Sequence, residues 1–156
     1  MNRTFGRHRF TAAWLTVLVL SGCLWWALHP PRSEDHYRQE SADTVELLRS
    51  NVETTRIWLD ARAVDRTTSN AVEVALTETE GDADRTLSGY TAHQPPSPTT
   101  TELRSEVATI GDRVVTLLGQ IRVDARSGRW DAALAARDDL EVVSRQLAAL
   151  QRKAAP

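Results

Sequence analysis

The chain has 156 residues, 41% apolar and 26% charged, with 19 Lys or Arg against 21 Asp or Glu for a formal charge of −2. That length fits one small domain with an appendage, the composition excludes a fully disordered or collagen-like chain, and a single cysteine excludes a disulfide framework or a thiolate zinc cluster. Arg3, Arg7, Arg9 and Arg32 all precede the first acidic residue, Glu34, so the remainder carries a net −6, the wrong sign for a nucleic-acid-binding face.

Residues 1–10 form a basic leader, and positions 11–28 read TAAWLTVLVLSGCLWWAL, eighteen residues without a charge. As a helix this stretch is about 27 Å long, near the hydrocarbon thickness of a bilayer. An arginine, lysine or aspartate at the centre of a spanning helix costs about 2.5 to 3.5 kcal/mol, so the run predicts a transmembrane signal anchor. The preceding arginines orient it with the C-terminal bulk outside the cytoplasm, and Trp14, Trp25 and Trp26 sit where indole rings settle at interfaces. A short linker at 29–32, with Pro30 and Pro31, then stops the helix. Over the same residues, Leu20-Ser21-Gly22-Cys23 resembles the lipobox of bacterial lipoproteins. That resemblance implies a signal peptide ending at Gly22 and lipid attachment at Cys23. Against it, Leu24-Trp25-Trp26-Ala27-Leu28 prolongs the hydrophobic run where lipoproteins turn polar. Either way the expected location is the cell membrane, single-pass or lipid-anchored, with the C-terminal domain extracytoplasmic.

The expected fold beyond the linker is all-α, a small antiparallel bundle of three or possibly four helices. Residues 33–80 contain neither glycine nor proline and carry a stripe of Val45, Leu48, Val52, Thr55 and Leu59, continued loosely by Val64, Ala71 and Ala75. A break near Thr67-Thr68-Ser69-Asn70 would divide this segment in two. Residues 81–101 gather Gly81, Gly89, Pro95, Pro96 and Pro98 among serines and threonines and predict a loop. Thr99 and Glu102 have capping-box spacing and mark the next helix start. A helical hairpin is expected over 102–152, with its turn at 127–129. Its first seam is Leu103, Val107, Ile110, Val114, Leu117 and Ile121, widened by Val115 and Leu118. Its second seam is Ala133, Ala136, Leu140, Val143, Leu147 and Leu150. Gly111 and Gly119 lie near one face of the first helix, as close-packing notches or as tolerated defects. Ser127-Gly128-Arg129-Trp130-Asp131-Ala132-Ala133-Leu134 resembles the turn and second helix of one tetratricopeptide repeat. No second copy follows at that family's period, so the resemblance implies a helical hairpin with Trp130 as a packing residue.

Chemistry-bearing patterns are sparse. His8, His29, His36 and His93 include no pair at one-turn spacing, and no GxSxG, HExxH or GxxxxGK[ST] pattern occurs. Asp82 with Asp84, and Asp138 with Asp139, read as solvated carboxylates. No catalytic residue, metal or cofactor is expected. Arginine outnumbers lysine 18 to 1, a bias of GC-rich bacterial genomes. The expected function is a non-enzymatic interaction or scaffold module of the bacterial cell envelope, binding a protein partner or itself through its helices. A ligand-sensing ectodomain, or lipoprotein, working with a separate membrane partner is the alternative.

Overall fold

The computed structural model describes residues 33–155, all of it helix and connecting turn. The 11–28 stretch, Cys23, His8 and His29 lie outside the described residues. Among those described, no helix is long and apolar enough to cross a membrane. The helices are α1 (Glu34–Ala63), α2 (Ser69–Thr91), α3 (Pro98–Arg126), the short α4 (Trp130–Ala135) and α5 (Arg137–Ala154).

Helices α1, α2 and α3 are each started by a side-chain cap. Ser33 caps α1, its hydroxyl accepting from the His36 amide at 3.2 Å, and Glu34 and Asp35 complement the positive end of the helix dipole. Thr68 caps α2 through the Ala71 amide. Ser97 caps α3, with a reciprocal Ser97–Thr100 box and Pro98 in the first turn, where its missing N–H costs nothing. The cap therefore falls two residues before the expected Thr99.

Helix α1 is the central rod. It packs on α2 and, most extensively, on α5, and it also touches α3 across the bundle; α2 and α5, on the other diagonal, do not meet. The core is the chain of buried side chains this creates, including Tyr37, Val45, Leu48, Val52, Leu59, Val72, Leu76, Val107, Leu118, Ile121, Leu140 and Leu147. Buried positions recur every eleven residues: Tyr37, Leu48 and Leu59 in α1, Val72 and Ala83 in α2, Leu103, Val114 and Ala125 in α3. Eleven residues make three turns at 3.67 per turn, close to the 3.6 of a straight helix, so these rods do not need the supercoil that a seven-residue repeat imposes.

That period corrects the expected seam of α3. Leu103, Val107, Val114 and Ile121 are buried, but Gly111 and Leu118 take the places read for Ile110 and Leu117, which are only partly buried. A strict 3.5-residue seam drifts around a straight helix, and Ile110 and Leu117 have drifted to its flank. In α4 and α5, Ala133, Leu140, Val143, Leu147 and Leu150 are buried, while Ala136 is half-buried at the bend between the two helices.

Two expected boundaries also change. The break offered near Thr67–Asn70 is present, shifted to Val64–Thr68, and the 81–101 loop shrinks to Ala92–Ser97. Helix α2 runs through Gly81 and Gly89, whose missing side chains face open space. The cost of about 1 kcal/mol per glycine is offset by burying Ala83, Leu87 and Tyr90 on the opposite side. Gly111 fits the notch reading: a Cβ there would stand 2.5 Å from Cδ1 of Leu87, whose side-chain tip fills the space.

Candidate functional site

Two places in the bundle combine accessible or unpartnered chemistry with defined geometry. The first is a groove between α3 and α5. The chain passes from α3 through the short α4 to α5, after a tight reversal in which the Arg129 amide donates to the Asp124 carbonyl at 2.9 Å and Gly128 takes φ 73°. Yet α5 leans on α1 and leaves its α3 side open. The space between has a volume of about 420 Å³ and is lined by Glu106, Thr109, Ile110 and Arg113 of α3 and Gln146, Ala149, Leu150 and Lys153 of α5.

Ile110 and Leu150 form its apolar floor, with Ala149 on the wall. Lys153 Nζ donates to Glu106 Oε1 at 2.5 Å across one end, and Arg113 reaches Gln146 Oε1 at 3.4 Å further along. These two links fix the antiparallel register, which sets Leu117 of α3 level with Val142 of α5; both are partly buried. The Glu106 carboxylate, with Glu102 beyond it, holds the Lys153 ammonium above its ordinary range. The walls thus differ in charge at this end: acidic on α3, basic on α5.

The second place is a polar layer where α1 begins, α2 ends and α3 begins. Tyr37 and Tyr90 have ring centroids 5.7 Å apart, and the Ser41 and Tyr90 hydroxyls are hydrogen-bonded at 2.9 Å. Glu40 pairs with His93, and Arg104 donates to the Thr91 carbonyl, together tying the three helix ends. Tyr37 Oη, Glu40 Oε2 and Arg104 Nε are buried without a hydrogen-bond partner. Burial pushes the Tyr37 phenol well above its ordinary range, and the Tyr90 hydroxyl beside it adds to the effect. Sequence reasoning missed this layer because Glu40 and His93 are far apart in the chain.

The other polar features are structural ties. Glu80 and Arg122 join α2 to α3 as a half-buried pair. Ser144 Oγ donates to Glu53 at 2.6 Å and Arg137 pairs with Asp60 at 3.1 Å, joining α5 to α1. Trp130 packs against the core while the Arg62 guanidinium lies 5.1 Å from its ring centroid, a cation–π contact. Asp82 pairs with the exposed Arg85, and Asp84, Asp138 and Asp139 are exposed. Among the described residues no group of three His, Cys, Asp or Glu side chains is placed to hold a metal ion.

No protein-family model, curated protein or solved structure matches this chain. Function therefore rests on the geometry above.

Proposed function

We propose that this chain is a non-enzymatic interaction module of the bacterial cell envelope, tethered to the membrane by residues 11–28 with its helical bundle on the outer side. The observation that carries the interaction reading is the α3–α5 groove. The bundle buries its core along α1, and the groove beside it leaves Ile110 partly and Ala149 fully accessible between charged side chains. Its shape and its charged walls suit an apolar helical surface flanked by charges. The tether is supported by the uncharged length of 11–28 and the arginines before it.

Two measurements test the two halves. A reporter enzyme active only outside the cytoplasm, fused after Pro156, is expected to be active; activity confined to a cytoplasmic reporter overturns the tether. Full-length protein extracted in mild detergent is expected to run as a complex, and Ile110→Asp to dissociate it without unfolding the bundle. A monomer at all concentrations overturns the interaction reading.

One observation favours the ligand-sensing alternative, the three unpartnered atoms of the Tyr37–Glu40–Arg104 layer. A small polar ligand that satisfied them would raise the melting temperature by mass action, which a thermal-shift screen detects.

A further inference from the structure

The layer where α1 begins, α2 ends and α3 begins asks for more hydrogen bonds than its own side chains supply. Tyr37 Oη, Glu40 Oε2 and Arg104 Nε are buried without a partner, three of the four such side-chain atoms among the described residues. They also lie around one place. Tyr37 and Glu40 are three residues apart on α1, hence on one face, and the Glu40 and Arg104 charges are both near enough to act on the Tyr37 phenol, in opposite senses. From the α2 side, Glu40 engages His93 with its other oxygen, and Arg104 reaches the Thr91 carbonyl two residues away. Both charged side chains therefore converge on the same end of α2.

We infer that these three atoms hold one bound water molecule, which joins α1 to α3 at the Ser33 end of the bundle. Their chemistry selects this occupant. An ionised carboxylate only accepts, a guanidinium only donates, and a phenol does either, so the occupant must donate and accept at once. Glu40 and Arg104 carry opposite charges, so it need carry none; an anion would be repelled by the first and a metal ion by the second. Tyr37 has no exposure, so the occupant is enclosed on that side and small. Hollows of about 220 to 420 Å³ lie instead between α1 and α2, between α1 and the α4–α5 bend, and between α3 and each of α2 and α5, all lined by other residues. Water meets every condition. Globular proteins bury roughly one water per 27 residues, each making about three hydrogen bonds, the number these atoms offer. The inference stands independently of the interaction reading.

Crystals of the full chain in detergent, diffracting well enough to show ordered solvent, test the site directly. One water within about 3.2 Å of Tyr37 Oη, Glu40 Oε2 and Arg104 Nε is expected. A direct Glu40–Arg104 pair, or no density between the three, overturns the inference. An organic molecule there overturns it too, and returns support to the ligand-sensing reading. A thermal-melting cycle on the full chain gives a second test. Tyr37→Phe removes one hydroxyl and keeps the ring; Arg104→Gln removes the guanidinium. No hydrogen bond joins the two side chains, so without a shared water their shifts in melting temperature add. The expected double-variant shift is smaller than the sum of the single shifts, because either substitution alone already strips the water of a partner. Additive shifts overturn the shared water.

Discussion

Helix α5 has two neighbours and treats them differently. Toward α1 it buries Leu140, Val143 and Leu147 completely, and polar ties at both Ser144–Glu53 and Arg137–Asp60 fasten the outer edge. Toward α3, its partner in the hairpin, it leaves a groove bridged at Glu106–Lys153 and Arg113–Gln146. Adjacency in sequence did not decide which contact is tight. The first partner is a core contact and the second an open groove, and substitutions on the two sides should differ accordingly.

The largest effect is expected on the α1 side. Leu147→Ala removes a side chain with no exposure and should cost about 2 to 5 kcal/mol, read as a lower urea midpoint. A loss below about 1 kcal/mol would break the contrast. On the α3 side, Ile110→Ala removes partly exposed methylenes and should cost about 1 kcal/mol by the same measurement.

The α3–α4 link offers an acid test. The Gln120 amide and the Arg129 guanidinium hold the Asp124 carboxyl below its ordinary range, with Arg129 Nε at 3.0 Å. Its stabilising contribution is therefore complete above the ordinary carboxylate value of about 4 and fades as pH falls through the lowered one. Asp124→Asn should flatten the acid limb of a stability–pH profile relative to the parent protein; an unchanged limb would show that the pair contributes nothing. The smallest effect is expected at Ala149, exposed on the groove wall, where Ala149→Gln should move thermal stability by no more than about 0.5 kcal/mol.

Legibility followed the physics of each segment. Where apolar residues fall on a helical stripe without competing punctuation, as at Val45, Leu48, Val52 and Leu59, the core could be read directly. The turn at Gly128 was equally plain, because glycine advertises a left-handed backbone. The Val64–Thr68 turn uses the same two reversed hydrogen bonds but puts Asp65 at φ 51°, and aspartate carries no such unambiguous signal. The second half of α2 was hidden by the opposite error, since Gly81 and Gly89 were weighted as breakers while Ala83, Leu87 and Tyr90 were already in helical phase. At the groove, Ile110 and Leu117 fit a coiled-coil repeat that a straight rod does not keep, so they pack on the flank of the core. The polar layer was invisible, because Glu40, His93 and Arg104 meet only once three helix ends are assembled.

The Gly111 notch sets more than a local distance. Leu87 enters it like a key in a slot, and one turn up or down α3 the slot is blocked by Val107 or Val115. Sliding α2 along α3 by a turn would set Leu87 against Val107 or Val115 and require it to repack. The notch thus favours the same alignment that sets Glu80 beside Arg122 below it and Thr91 beside Arg104 above it.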